Sequence, residues 1–244
     1  MATGSSSRSS PWHGSGTFSA AIAAGWRSVS EGIGVVVGLE AEARIARRLG
    51  VAVEVGGGGQ AGAAEAASRL ITQGARFLVS FGLAGGLDPR LAAGTLLVPD
   101  VILSMDGHWP TDPRLAAGLG RVGGAIFSGD AIVATAAAKR ALHQRTGAAA
   151  IDLESAAVAE TAARHAIPFA VLRAVCDPAG CSLPHAALVA LDSRGRIGGW
   201  RVAKAALSHP AEIPALIALA SDAARARVAL SNRVDAIRRL GTVA

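Results

Sequence analysis

Apolar residues in this chain fall into two patterns. Short unbroken apolar runs, bounded by glycine, alternate with longer stretches in which apolar residues recur every three or four positions. The first pattern marks buried strands and the second amphipathic helices. Gly34-Val35-Val36-Val37-Gly38 reads as a first strand, followed by a helix over 40–49. A short strand over 51–55 runs into Gly56-Gly57-Gly58-Gly59, and a helix over 61–73 follows. The run 76–81 is a strand leading into Gly82-Leu83-Ala84-Gly85-Gly86-Leu87. Residues 94–103 are strand-like around Pro99, and 122–127 form another strand. Helices are predicted over 135–145 and 154–165, with strands over 148–153 and 169–176 bracketing the second. The tail over 200–240 reads as helical, with Pro210 and Pro214 near the start of its last helix, where proline is tolerated. Alternating strands and helices define an α/β fold: one domain with a mixed, mostly parallel sheet flanked by helices. No internal repeat is visible.

Before Ile33 the periodicity is missing. Residues 1–31 are rich in serine and glycine, with no acid before Glu31, and read as a disordered leader. Their Ser/Arg-rich make-up mimics a transit peptide but lacks a secretory apolar core. Residues 32–244 are taken as one catalytic domain, long enough to bury a substantial core. Hydrophobic residues make up 51% of the chain, yet tyrosine is absent and phenylalanine occurs only 5 times. Alanine, valine and leucine carry the apolar fraction, which suits helices packed closely on a sheet. No apolar run reaches the roughly 18–20 residues that a spanning helix needs. The net charge is +6, but the arginines are dispersed and no basic block interleaves with aromatics. That argues against a nucleic-acid partner and for a solvated, arginine-rich surface. Two cysteines without zinc-like spacing and scattered histidines supply neither a disulfide framework nor a metal site, and a reducing cytoplasm is the default compartment.

The chemistry lies in carboxylates. Asp152 and Glu154 end one predicted strand and open a helix; Asp177 ends the apolar run Phe169-Ala170-Val171-Leu172-Arg173-Ala174-Val175-Cys176. Two neighbouring strands thus deliver acids to their carboxyl ends, where open sheets keep their ligand crevice. The arrangement suits holding a diol and protonating a leaving base. Each acid also has a bland reading. Glu40 and Glu42 favour a helix N-terminus, with Glu40 able to pair with Arg44; Glu154 follows Asp152, itself a helix cap. Asp177, at a strand end before Pro178, is placed to be buried and to hold a proton. Ser128-Gly129-Asp130 reads equally as a turn. Residues 57–62 fit G-x-G-x-x-G, which opens an NAD(P)-dependent oxidoreductase as an alternative. The acid expected about twenty residues on is missing at Val79-Ser80-Phe81. A glycine loop whose amides meet a sugar or anion, and a purely structural turn, are the other readings.

Several segments in order resemble the nucleoside phosphorylase family, particularly its methylthioadenosine/S-adenosylhomocysteine nucleosidase branch. They are Val36-Val37-Gly38-Leu39-Glu40-Ala41-Glu42, Gly82 to Leu87 with Gly94-Thr95-Leu96-Leu97-Val98-Pro99-Asp100, Ser128-Gly129-Asp130-Ala131-Ile132, Ile151-Asp152-Leu153-Glu154-Ser155-Ala156 and Val171 to Asp177. The stretch Pro178-Ala179-Gly180-Cys181-Ser182-Leu183-Pro184 looks most like the hopanoid-associated phosphorylases. The resemblance implies a three-layer sandwich that cleaves a purine N-glycosidic bond and releases adenine, with adenosylhopane as substrate. It makes Asp177 the general acid at purine N7 and Glu154 the acceptor of the ribose hydroxyls. Glu42 then orients and deprotonates an attacking water. Leu153 would pack on the sugar and Ile132 stand where relatives stack an aromatic. Phe127, Gly82, Ala84 and Gly85 would line the base and sugar pockets. Ser80 and Leu83 occupy positions where phosphorylases hold phosphate, leaving Arg44 and the amides of Gly58 and Gly59 as candidate phosphate contacts. Water and phosphate stay open as acceptor. No metal or organic cofactor is implied, only phosphate as a co-substrate. The resemblance further implies a homo-oligomer and, through a lipid-like substrate, contact with the inner membrane surface. A methylthioadenosine/S-adenosylhomocysteine-type nucleosidase is the alternative within the family. A non-catalytic nucleoside- or lipid-binding protein is the alternative outside it.

Overall fold

The computed structural model describes residues 32–188 and 210–242. The expected leader and the first part of the helical tail, 200–209, lie outside those residues. In chain order the elements are β1 (Ile33–Val37), α1 (Glu40–Ala46) continued by a 3-10 turn (Arg47–Leu49), β2 (Ala52–Val55) and α2 (Gln60–Thr72). Next come β3 (Phe77–Gly86), β4 (Leu96–Leu97), β5 (Val101–Leu103), β6 (His108–Pro110) and α3 (Pro113–Leu119). Then follow β7 (Ala125–Ser128), α4 (Ala136–Thr146), β8 (Ala150–Asp152), α5 (Ser155–Arg164) and β9 (Phe169–Asp177). A short α6 (His185–Leu188), a 3-10 turn (Pro210–Glu212) and the long α7 (Ile213–Thr242) complete the described chain.

One sheet runs β2-β1-β3-β8-β7-β5-β6, with β9 paired to β3 and β4 paired to β9. The β1–β2, β1–β3, β3–β9, β5–β7 and β7–β8 pairs are parallel; β3–β8, β4–β9 and β5–β6 are antiparallel. The sheet is therefore mixed and mostly parallel, as expected. The two acid-bearing strands are not neighbours, however. Strands β8 and β9 both pair with β3, which separates them. Strand β3 runs beside β9 from Leu78, shifts register between Ala84 and Gly85, and gives Gly85 and Gly86 to β8. A ten-residue strand with a local irregularity can serve two partners in this way.

Both faces of the sheet are covered. On one, Ala63, Ala66, Ala67 and Leu70 of α2 meet Ala156, Ala157 and Val158 at the start of α5 over Val36, Leu78 and Val171. On the other, Ala43 and Ala46 of α1, Leu115 and Leu119 of α3, and Ala226, Leu230, Val234 and Ile237 of α7 cover Val35, Phe81 and Leu172. Residues alternating along β1 thus point to opposite cores, as strand geometry requires. The alanines let the helices lie close. Strand β6 and helix α3 were not anticipated from the pattern. Helix α3 nonetheless carries local signals: Asp112 accepts from the N–H groups of Arg114 and Leu115, Pro113 opens the first turn, and Gly120 ends it at φ 86°.

The glycine run joins β2 to α2 through close backbone contact. A Cβ on Gly62 would lie 1.8 Å from the Gly56 carbonyl oxygen, so the first turn of α2 can sit on the strand end only with glycine there. Gln60 ties that turn to the end of β7 and the start of α5, donating to the Gly129 carbonyl at 3.2 Å and accepting from the Ala157 N–H at 3.0 Å. Among the described residues no helix is long and apolar enough to cross a membrane.

Candidate active site

At the carboxyl ends of β1, β3, β8 and β9 lies a cavity of about 450 Å³. Its polar end holds Glu42, Asp152, Glu154, Arg173 and Asp177; Leu183, Leu188, Leu216, Leu219, Ala220 and Ala223 line its other end. All four acids and the arginine are buried.

Glu42 comes from the first turn of α1 and reaches back over the end of β1. Its Oε2 accepts from the N–H groups of Gly38 at 3.1 Å and Leu39 at 2.8 Å, and its Oε1 from the Leu83 N–H at 2.8 Å. Burial raises its pKa, against the opposing effects of the Arg173 charge and these three amides. Gly82 allows this approach: a Cβ there would stand 2.6 Å from both Glu42 Oε1 and the Arg173 guanidinium.

Glu154 sits between β8 and α5. Its Oε1 accepts from the Gly58 N–H at 3.2 Å, and its Oε2 from Arg173 at 3.3 Å. A Cβ on Gly38 would fall 2.8 Å from Glu154 Oε1, which explains glycine at the end of β1. Burial, with the charges of Glu42 and Asp152 adding to it against Arg173, pushes the Glu154 pKa up to about 7. The folded protein therefore holds a proton here that the unfolded chain has released above about pH 4.5. Stability should fall as pH rises from about 5 through 7. Thermal unfolding of wild type and Glu154→Gln across pH 5–8 is expected to show a shallower decline in the variant.

Arg173, in the middle of β9 and 1% exposed, organises the acids. It pairs with Asp152 at 2.7 Å and donates to the hydroxyls of Ser80 at 2.7 Å and Ser155 at 3.2 Å. Asp152 in turn accepts from the Ser155 N–H at 3.2 Å and from its hydroxyl, so the anticipated helix cap is also an ion-pair partner. Ser80, noted in the sequence only as a departure from a phosphate-binding pattern, is a ligand of this guanidinium.

Asp177 ends β9 with Oδ1 beside Gly85, whose Cβ would lie 3.0 Å away. Oδ1 accepts from the Cys176 thiol at 3.4 Å, and Oδ2 from Lys139 Nζ at 2.6 Å. Burial raises the Asp177 pKa; Lys139 and the Cys176 thiol pull it down, while Asp222 adds to the rise. Lys139 is fully buried, which the composition of its helix does not signal, because a lysine on an alanine-rich helix looks solvated. The one available signal was its position on the face of α4 that also buries Leu142.

The other expected residues divide. Leu153, Ile132, Ala84, Gly85 and Gly58 line the cavity. Phe127 is instead packed in a core with Leu87, Leu142 and Ile151, behind Ile151 and not itself in the lining. Gly59, the N-cap of α2, and Gly82, which lies against Glu42 and Arg173, are also outside the lining. Arg44 is exposed on α1 and is not part of the cavity lining. Glu40 pairs with Arg47 at 2.6 Å and not with Arg44. The Gly58 amide is taken by Glu154. Among the described residues no cluster of three His, Cys, Asp or Glu could hold a metal.

Residues 114–196 match the sequence profile of the Phosphorylase superfamily. The futalosine hydrolase of Streptomyces coelicolor is 31% identical over an alignment of 127 positions that covers 42% of this chain and 54% of that protein. The chain thus matches about half the length of that curated relative. Among solved structures, the Helicobacter pylori methylthioadenosine/S-adenosylhomocysteine nucleosidase superposes with a TM-score of 0.60 at 18% identity, over 84% of this chain and 97% of its own. The Colwellia psychrerythraea nucleosidase, solved with adenine, gives a TM-score of 0.56 at 20% identity over 61% and 83% of the two chains. This chain has the fold shared by those nucleosidases, the nucleoside phosphorylase-like sandwich that its sequence suggested.

Proposed function

We propose that this protein hydrolyses the N-glycosidic bond of an adenine nucleoside. One observation carries the reading: Glu42, Glu154 and Asp177, from three distant stretches of chain, face one cavity, and the amides at its polar end are committed to two of them. Breaking the bond sends its electron pair to the base and leaves positive charge on the sugar. Asp177 donates its proton to the purine at N7, so the base departs neutral. Glu154 accepts the ribose hydroxyls and sets its carboxylate near the developing cation. Glu42 takes a proton from water as the oxygen attacks the sugar carbon. The products are adenine and the free sugar.

Water is favoured over phosphate because the amides beside Glu42 and Glu154 are already committed to those carboxylates. The N–H groups of Gly38, Leu39 and Leu83 point at Glu42, that of Gly58 at Glu154, and Arg173 is held by Asp152 and Glu154. A phosphate dianion entering here would meet carboxylates. Adenine release from a 5′-substituted adenosine should proceed at the same rate with and without phosphate and yield a reducing sugar. A sugar 1-phosphate product overturns hydrolysis.

The apolar end of the cavity supports a greasy 5′ substituent, and adenosylhopane fits that chemistry. Ile132 and Leu188 line the cavity yet are 40% and 39% exposed, so its mouth is apolar and suits a lipid-like tail presented at a membrane surface. A second reading rests on Arg227, which lines the same end and makes no ion pair among the described residues. An adenosine with an acidic 5′ tail would find its counter-charge there and is the competing substrate. Comparing kcat/KM for a long-alkyl 5′ adenosine and for a 5′-carboxyalkyl adenosine, in wild type and Arg227→Ala, separates the two. Loss confined to the carboxyalkyl substrate favours the acidic tail.

A further inference from the structure

Resting on the nucleosidase reading, we infer that Lys139 is a positioning residue for the acid: it reserves one oxygen of Asp177 so that the proton is presented to the base from the other. The ammonium has three hydrogens and four acceptors, all at the end of β9 and the turn beyond. They are Asp177 Oδ2 at 2.6 Å, the Asp177 and Pro178 carbonyls at 3.2 Å each, and the Cys181 carbonyl at 3.0 Å. One side chain from α4 therefore fixes both the strand end and the plane of the carboxyl it carries. An ammonium at Oδ2 disfavours a proton on that oxygen. The acid proton is left on Oδ1, which receives only a thiol, a weak donor, and which lies over Gly85 in the cavity wall.

Stability alone does not account for this lysine. A buried ion pair is commonly no more stable than apolar residues of the same volume, and the neighbouring Leu142 shows that this helix face accepts them. What a leucine could not do is distinguish two carboxyl oxygens 38 residues away in sequence. Among the described residues, the groups that act on Asp177 besides Lys139 are the Cys176 thiol on its own strand and Asp222 on α7, so Lys139 is the cation of this set.

The test uses Lys139→Met and Lys139→Gln in the full chain, the second retaining a hydrogen-bond donor should the first fold poorly. Asp177 must be protonated to donate, so activity is lost as pH rises through its pKa. Removing the ammonium leaves burial and Asp222 less opposed, so that alkaline limb should move to higher pH. At neutral pH kcat should fall by about tenfold or more with KM little changed, since what is lost is transition-state proton transfer. Ethylammonium added to Lys139→Met should restore part of the rate. An alkaline limb that stays in place in both variants overturns the inference, as does wild-type kcat in Lys139→Gln. The carboxyl 13C titration of Asp177, recorded without nucleoside, gives the same decision independently of turnover. An upward shift in the variants upholds the role of Lys139 on Asp177, and no shift rejects it. Wild-type protein that releases no adenine would defeat the hydrolase reading itself, which the titration does not depend on.

Discussion

Asp177→Asn is expected to lower kcat for adenine release by at least about 10²–10⁴-fold while leaving the protein folded. Asparagine has the shape of the carboxyl, and its amide oxygen can still accept from Lys139, so the end of β9 keeps its ties to the turn that follows. What disappears is the transferable proton. Without it the purine must leave as an anion, and the rate falls by the contribution of general acid catalysis. KM should change little, because the walls of the cavity are untouched. Steady-state kinetics with a 5′-substituted adenosine, alongside unfolding curves for both proteins, checks the expectation. An unchanged kcat would remove Asp177 as the acid.

Arg173→Met is expected to act on stability first. The substitution leaves Asp152 and Glu154, with Glu42 close by, buried without their cation. Removing one partner of such a pair costs about 3–5 kcal/mol, since the remaining charges cannot return to water. For a domain of this size that is a fall of about 10 °C in Tm. The deficit should shrink as pH falls, because the orphaned carboxyls escape their repulsion by taking up protons. A loss equally large at pH 5 and pH 8 would mean that packing, not charge, is what Arg173 supplies.

The sequence pattern located most of the elements because their apolar runs are long or their periods regular. It was blind to β6, a three-residue strand at the sheet edge that ends in proline. It placed the acids correctly at strand ends, because an acid that interrupts an apolar run is a local signal. The cations that make those acids useful have no such signal. Lys139 stands 38 residues from Asp177, and Arg173 meets Asp152 and Ser80 only through the sheet. The strand order also hid from view, since antiparallel pairing of two glycines of β3 with β8 is a tertiary event. Arg44, a candidate phosphate contact from the resemblance, shares α1 with Glu42, yet the turn of the helix leaves it exposed while Glu42 is buried. The glycine run was ambiguous on paper. In the fold it does two things, close packing at Gly56–Gly62 and an amide for Glu154 at Gly58.

That β3 pairs with both β8 and β9 has an evolutionary corollary. The separation of Glu154 and Asp177 is set by one rod of backbone at the centre of the sheet. Outlying parts, such as the β5–β6 ribbon and the first turns of α7, are free to diverge without altering that spacing. Under the proposed reading, such a division would let the walls that meet the 5′ substituent change while the spacing of the two acids stays fixed.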